Sequence, residues 1–209
     1  MILVTGADGL LGSWLCFKHA KDVIGLTRKD LDITDEVHVL KTLRSFQPDA
    51  LINCAGLTDN RGRMVNPDER IAVNAEAPHI LSKICDMVGV RMIQVSTDCV
   101  FKGDRDGGYT EMDIPDADDN YGWSKTQGEI DRAPHLTVRT SFVGWPDPKM
   151  RGLIAWLRST SKPQVLGYRN VWWNGLTAPL VADYLVELAY TRHTGIMHLF
   201  GARITKYGI

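Results

Sequence analysis

The 209-residue chain lacks the features that mark membrane, secreted or nucleic-acid-binding proteins. It contains no run of eighteen apolar residues, which argues against a membrane-spanning helix. Its 24 basic and 25 acidic residues nearly cancel, so no excess of positive charge indicates a nucleic-acid or membrane-surface partner. No N-x-S/T site for N-glycosylation occurs, and the first residues lack the basic region and cleavage site of a secretory signal. These absences predict a cytoplasmic protein.

Cysteine and histidine are too few and too scattered to indicate a disulfide framework or a metal site. The four cysteines are Cys16, Cys54, Cys85 and Cys99, and their spacing matches no metal-binding motif. The six histidines form no ligand set either. We therefore expect reduced thiols and no bound metal.

What the sequence does contain is an alternation of short apolar runs with amphipathic stretches, and 44% of its residues are hydrophobic. The runs that predict strands are residues 2–4, 23–26, 50–54, 91–95 and 136–139, and the stretches that predict helices are residues 10–20, 35–46, 67–88 and 121–132. This order is typical of an α/β protein with a doubly wound parallel sheet of the Rossmann type.

The alternation weakens near Trp145, where we expect the nucleotide-binding domain (residues 1–144) to end. Residues 150–159 and 180–190 look helical, and residues 196–199 look like a strand. We predict that residues 145–209 form a small substrate-binding lobe and not an independent domain. The Gly- and Asp-rich stretch 101–120 predicts a long loop, which in a compact domain is often functional.

Three glycines spaced G-x-x-G-x-x-G join the first predicted strand to the first helix. Gly6 permits a tight turn, Gly9 lets a pyrophosphate approach the backbone, and Gly12 lets helix and strand pack closely. The amides of Leu10 and Leu11 then lie at the positive end of the helix. A turn without a ligand is the alternative, but its place between a strand and a helix favours a dinucleotide site.

The end of the second strand bears on which nicotinamide cofactor binds. Arg28 and Lys29 follow it, and a basic residue here accommodates the 2′-phosphate of NADPH. Asp30 and Asp32 are close, so NADH stays an alternative, and solvated loop charges are the plainer interpretation. We expect Asp32 and Ile33 to lie near the adenine.

Tyr121 and Lys125 are four residues apart, which places them on one face of a helix. An ammonium beside a phenol lowers the pKa of the phenol, so Tyr121 could exchange a proton with a substrate carbonyl or alcohol. Thr97 follows the strand 91–95, at the edge where ligands gather in a parallel sheet. Capping of a loop is the plainer role for Ser96 and Thr97.

Together these phrases resemble the extended short-chain dehydrogenases, and most of all the dTDP-4-dehydrorhamnose reductase family. The matching segments are residues 31–35 (LDITD), 48–49 (PD), 52–56 (INCAG), 73–77 (VNAEA), 96–101 (STDCVF), 121–125 (YGWSK), 128–129 (GE) and 139–144 (RTSFVG). The resemblance implies an NAD(P)H-dependent reductase of a nucleotide-linked 4-keto-6-deoxy sugar, with a homodimer as the common assembly. It also implies that Thr97, Tyr121 and Lys125 are catalytic, and that the cofactor touches Ala55, Gly56, Thr58 and Asn74 as well as Tyr121 and Lys125.

Other chemistries of related enzymes fit the residues less well. Sugar-nucleotide dehydratases resemble one another in an Asp-Glu pair that follows the threonine. Here Asp98 is present but Cys99 takes the place of the Glu, which argues against dehydration. GDP-fucose synthase has a cysteine there and a later catalytic histidine, whereas residues 149–158 contain no histidine and Arg151 lies near that place. We expect Cys99 to pack as a small residue under the sheet edge. A cofactor-binding regulatory subunit with little catalysis, or another epimerase or reductase, remains the alternative function.

Several further residues have two interpretations. Trp172, Trp173 and Asn174 either stack on a nucleotide or pack in the lobe. Arg139 either meets a diphosphate or forms an ion pair, and residues 61–63 (Arg, Gly, Arg) are either a solvated turn or a second diphosphate contact. Relatives continue beyond the position of Ile209, so we expect either a truncated form or a compact variant with a reduced substrate lobe.

Overall fold

The computed structural model describes residues 1–58, 65–105, 108–146, 152–161 and 164–209. The predicted contacts at residues 61–63 and at Arg151 lie outside these ranges. The elements, in chain order, are β1 (Ile2–Thr5), α1 (Leu10–Lys18), β2 (Val23–Leu26), α2 (Glu36–Phe46), β3 (Ala50–Asn53), α3 (Pro67–Arg70), a π-helical segment (Ile71–Glu76), α4 (Ala77–Val88), β4 (Arg91–Thr97), a 3₁₀ turn (Asp98–Val100), α5 (Asn120–Gln127), β5 (Leu136–Thr140), β6 (Phe142–Val143), α6 (Leu153–Ser159), β7 (Trp172–Trp173), β8 (Leu176–Thr177), α7 (Ala178–Ala189), β9 (Gly195–Leu199) and β10 (Ile204–Thr205).

Six parallel strands form the central sheet, in the order β2-β1-β3-β4-β5-β9. This confirms the predicted Rossmann-type α/β fold. Strand β2 lies on one side of β1 and β3 lies on its other side, so the direction in which successive strands are added to the sheet reverses at β1. A crevice opens at such a switch point, outside the carboxyl ends of the strands, and it is where ligands bind in this class of sheet.

Helices cover both faces of the sheet, because each face carries apolar side chains that must be removed from water. On one face Leu15 of α1 and Leu185 of α7 are fully buried against the strands. On the other face Leu43 of α2 and Leu81 of α4 are buried in a second cluster. In the described part of the chain, no helix is long and apolar enough to cross a membrane.

The C-terminal third contributes to this main body. Strand β9 pairs with β5 as the sixth strand of the sheet, and α7 packs beside α1. The step from β1 to β2 and the step from β5 to β9 go in opposite directions along the sheet, but their helices, α1 and α7, lie on the same face. The two crossover connections therefore have opposite hands. Two small pairs lie outside the sheet: β6 with β8, and β7 with β10. The expected division after residue 144 stays a prediction.

Two predicted helices differ most from the observed ones. The stretch 67–88 is helical throughout but contains the π-helical segment, a feature that often marks functional sites. The predicted helix 121–132 ends at Gln127, because the following residues make contacts with β5 instead. Ile130 donates to the Thr137 hydroxyl, and Glu129 pairs with Arg139.

Candidate active site

The turn between β1 and α1 forms a cradle in which Gly6 and Gly12 leave no room for a Cβ. Gly6 has a φ of +67°, and a Cβ there would lie 2.7 Å from the Ala55 amide nitrogen. A Cβ on Gly12 would collide with the Gly6 carbonyl oxygen. Gly9 precedes the first residue of α1 and offers no side chain to cap its first amides. The backbone amides of Leu10 and Leu11 therefore begin a helix that has room and positive potential for an anion.

At the end of β2 an open pocket of about 430 Å³ is lined by Asp8, Thr27, Arg28 and Lys29. Arg28 is exposed, and its guanidinium lies 2.5 Å from Glu69 of α3 and 3.9 Å from Asp32. Arg28 and Lys29 thus both line the pocket, but the guanidinium of Arg28 already lies beside two carboxylates.

The two acidic residues of this loop already serve local turns. Asp30 accepts hydrogen bonds from the amide and hydroxyl of Thr27, and Asp32 accepts the corresponding pair from Thr34. The side chain of Ile33 is buried among core residues.

The loop after β3 approaches the glycine turn at Ala55 and α5 at Gly56. A Cβ on Gly56 would lie 3.5 Å from the Asn74 amide oxygen and 3.9 Å from Lys125 Nζ. Asn74, in the π-helical segment, is fully buried and binds both the amide and the carbonyl of Leu57. It also donates to the Ser124 hydroxyl. Asn74 therefore fixes the loop to α5, while Thr58 follows on the exposed side.

A chain of buried hydrogen bonds, missed by the sequence analysis, runs across the strand ends from the glycine turn to Lys125. The Thr5 hydroxyl donates to Asn53, Asn53 donates to Gln94, and Gln94 donates to the Val95 carbonyl. Lys125 Nζ donates to the same carbonyl at 2.8 Å. The sequence signal for this chain was the presence of Thr5, Asn53 and Gln94 within otherwise apolar strands. A buried side-chain amide needs hydrogen-bond partners, so such residues predict a buried polar network.

Lys125 is buried, with 5% of its surface exposed. Desolvation lowers its pKa to about 8, although the nearby Glu129 carboxylate and Cys54 act in the opposite direction. A lysine in this setting is charged at neutral pH and loses its charge in mildly alkaline solution.

Tyr121 and Thr97 meet because α5 begins directly against the turn that follows β4. Asp119 caps the helix through the amides of Tyr121 and Gly122, and a Cβ on Gly122 would collide with the Cys99 carbonyl oxygen. Desolvation raises the pKa of the Tyr121 phenol, and the neighbouring Thr97 hydroxyl, which favours ionisation, only partly offsets this rise. The expected lowering is therefore wrong for this structure, because desolvation of the phenol dominates its pKa. Lys125 Nζ donates to the Val95 carbonyl.

Cys99 does not pack beneath the sheet edge, so that expectation is also wrong. The residue is exposed, because the 3₁₀ turn after β4 carries it out of the core. Its sulfur lies 3.6 Å from the Asp98 carboxylate. Although the residue is exposed, the protein partly shields its sulfur from water, and this desolvation together with the Asp98 charge raises the pKa of Cys99 to about 11. The thiol therefore stays protonated at neutral pH and is a poor base.

Arg139 forms an ion pair, which decides between its two interpretations. It makes two hydrogen bonds of 2.7–2.8 Å to Glu129, and both side chains are almost fully buried. Ser96 donates to the same carboxylate, which links β4 and β5 to the segment after α5. The guanidinium also lies 5.1 Å from the centre of the Phe101 ring, at the start of the loop that follows β4.

The two tryptophans of β7 have different environments. Trp173 donates its indole N–H to Ser141, so it packs at the end of β5. Trp172 is 53% exposed, and Arg203 stacks on its ring at 4.2 Å. Trp172 is thus the member of the cluster that remains accessible to a ligand.

The fold and this edge of the sheet define a Rossmann-type α/β protein. Comparison with known families is more specific: the chain belongs to the RmlD substrate binding domain family, whose model matches residues 1–149.

Its relatives include proteins named as reductases. It is 39% identical over 157 residues to a probable low-salt glycan biosynthesis reductase of Haloferax volcanii, covering 67% of this chain and 52% of that protein. It is 39% identical over 153 residues to a dTDP-4-dehydrorhamnose reductase of Mycobacterium tuberculosis, covering 68% of this chain and 50% of that protein. The chain thus spans about half the length of these curated relatives.

Solved structures agree with the fold over nearly the whole chain. A hypothetical dTDP-4-dehydrorhamnose reductase from Sulfolobus tokodaii superposes with a TM-score of 0.85 at 28% identity, over 99% of this chain and 78% of that one. A Bacillus anthracis dTDP-4-dehydrorhamnose reductase, solved in complex with NADP, superposes with a TM-score of 0.84 at 24% identity, over 98% and 76%. At that lower identity the likeness concerns the fold alone.

Proposed function

We propose that this chain contains the cofactor-binding and catalytic part of a reductase acting on a nucleotide-linked 4-keto-6-deoxy sugar, with NADPH as reductant and NADH as the alternative. The observation that carries the proposal is the convergence of the glycine turn, the loop after β3 and the helix bearing Tyr121 and Lys125 at one edge of the sheet. The names of the relatives support the substrate class. A cytoplasmic location and a homodimer stay predictions.

A dinucleotide fits the residues present. The cradle at Gly6 and Gly12 has no space for a Cβ, and α1 begins without a side-chain cap, so a pyrophosphate could accept its first amide hydrogens. The proposed cofactor contacts are Gly6, Gly9, Leu10, Leu11, Gly12, Arg28, Asp32, Ile33, Ala55, Gly56, Thr58, Asn74, Tyr121 and Lys125. Among them Asn74 acts by holding the loop, since its amide is already bound to the protein.

Tyr121 is the proposed proton donor. When bound, the reduced nicotinamide supplies the hydride for the carbonyl carbon, so the carbonyl oxygen requires a proton. The raised pKa of Tyr121 keeps the phenol protonated before the reaction, and Thr97 can donate a second hydrogen bond to the same oxygen. Lys125 is charged below about pH 8 and can hold a ribose hydroxyl near the phenol. The high pKa of Cys99 disfavours an epimerase that uses this thiol as a base.

The test is reduction of a panel of dTDP-linked 4-keto-6-deoxy sugars by the purified chain. We expect NADPH absorbance to fall with substrate, and the product to gain two hydrogens by mass spectrometry. Omission of the sugar is the control for spontaneous oxidation. If the chain binds NADPH but reduces no member of the panel, the reductase proposal is wrong and a binding or regulatory role replaces it.

A further inference from the structure

The ion pair between Arg28 and Glu69 connects the pocket at the end of β2 to α3. Arg28 follows β2, whereas Glu69 lies on α3, after the loop that leaves β3. The guanidinium Nη1 and the carboxylate Oε1 are 2.5 Å apart, and 65% of the Arg28 side chain and 41% of the Glu69 side chain are exposed. The pair is thus formed at the surface, where it can open without unfolding either element.

Charges around this pocket do not favour a phosphate as strongly as the sequence suggests. Arg28 and Lys29 supply two positive charges, but Asp8 lines the same pocket and Asp32 lies 3.9 Å from the guanidinium. The Asp32 carboxylate is held by two hydrogen bonds from Thr34. Glu69 is the carboxylate that contacts Arg28 most closely, and it comes from a different element.

We infer that Glu69 sets the cofactor preference by competing with a 2′-phosphate for Arg28. This inference rests on the proposed function, in which Arg28 receives that phosphate. A phosphate dianion can bind Arg28 only if the guanidinium leaves Glu69 or shares its donors, and Glu69 repels the same dianion. NADH has no 2′-phosphate, so its binding leaves the pair undisturbed. Glu69 therefore weakens NADPH binding selectively and reduces the discrimination between the two cofactors.

The size of the effect follows from the exposure of the pair. An exposed ion pair contributes up to about a fivefold change in an equilibrium constant. Repulsion between the carboxylate and the phosphate adds to this at low salt and is screened at high salt. We expect Glu69→Gln to increase NADPH affinity by about three- to tenfold at low ionic strength, and to change NADH affinity by less than about twofold.

The experiment is calorimetric titration of the wild-type chain, Glu69→Gln and Asp68→Asn with NADPH, NADH, adenosine 2′,5′-bisphosphate and 5′-AMP at two salt concentrations. Asp68 is the exposed neighbour of Glu69 on α3, so its variant removes the same charge without touching Arg28. The two adenosine probes isolate the 2′-phosphate from the nicotinamide half and need no catalysis. We expect only Glu69→Gln to gain affinity for the two 2′-phosphate ligands, with a smaller gain at high salt.

Each other outcome overturns the inference. Equal or lower NADPH affinity in Glu69→Gln would mean that Glu69 orients Arg28 instead of competing with the ligand. An equal gain for NADH, or in Asp68→Asn, would mean that the effect is general electrostatics. In these cases the wild type still binds a dinucleotide and the proposed function stands. If the wild type binds neither NADPH nor NADH, both the inference and the proposed function are wrong.

Discussion

Replacing Lys125 with methionine is expected to make the protein more stable and less able to bind a dinucleotide. The ammonium group is buried, and Val95 supplies the hydrogen bond that the structure gives it. Methionine has a similar length and no charge to desolvate. The same substitution removes the proposed contact to the nicotinamide ribose, so stability and function should change in opposite directions.

The magnitude follows from the pKa of Lys125. Its fall from the usual 10.5 to about 8 corresponds to about 3 kcal/mol of unfavourable free energy for the charged form in the folded state. Loss of the hydrogen bond from Lys125 to Val95 offsets about 1 kcal/mol of the gain in stability. The Val95 carbonyl is not left without a partner, because Gln94 still donates to it. We therefore expect Lys125→Met to raise the free energy of unfolding by about 1–3 kcal/mol at pH 7.

The pH dependence gives a second check. Between pH 8 and 10.5 the unfolded wild type binds more protons than the folded protein, so this lysine makes the wild type gain stability as pH rises. The advantage of Lys125→Met should shrink over that range. Urea unfolding of both proteins at several pH values measures it. A variant less stable than the wild type at pH 7, with a pH-independent difference, would refute the desolvation argument.

Two further substitutions test the cradle and the buried ion pair. Gly9→Val should abolish NADPH binding in calorimetry, because the valine side chain would stand where the pyrophosphate approaches, while the circular dichroism spectrum stays unchanged. Gly108→Val is the control, since a Cβ at Gly108 meets nothing within 4 Å. Normal NADPH affinity in Gly9→Val would count against the cradle as the pyrophosphate site. Glu129→Gln should lower the free energy of unfolding by about 3–5 kcal/mol, because it leaves the buried Arg139 without a counter-charge. Glu187→Gln, on the exposed side of α7, should change it by less than about 0.5 kcal/mol, and an equally small loss in Glu129→Gln would contradict this account of the pair.

The sequence predicted the sheet and the order of its elements because apolar periodicity and the glycine turn are local signals. The C-terminal third was harder, since β9 follows β5 only after a connection of more than fifty residues, which includes α7 and has an unusual hand. Contacts between distant residues leave no spacing signal. The pairing of Arg28 with Glu69, the burial of Ile33 and the hydrogen bonds of Asn74 to Leu57 and Ser124 all depend on how the elements pack.

The pKa of Tyr121 shows the same limit. A Tyr and a Lys four residues apart share a helix face, which correctly places both at the sheet edge. The spacing does not tell which group the ammonium binds, and here it binds the Val95 carbonyl on β4. Whether the phenol is an acid or a base at the start of the reaction thus depends on burial, a property of the assembled fold.

The most direct test of the reductase account compares Tyr121→Phe with the wild type in turnover and in NADPH affinity, measured on the same preparations. The account predicts that turnover of a dTDP-linked 4-keto-6-deoxy sugar falls by about 10²–10⁴-fold, because the carbonyl oxygen loses its proton donor. NADPH affinity should remain within about threefold of the wild type, because phenylalanine keeps the ring and its packing while removing only the hydroxyl. Undiminished turnover in Tyr121→Phe would contradict the assignment of Tyr121 as the acid, and with it the proposed mechanism.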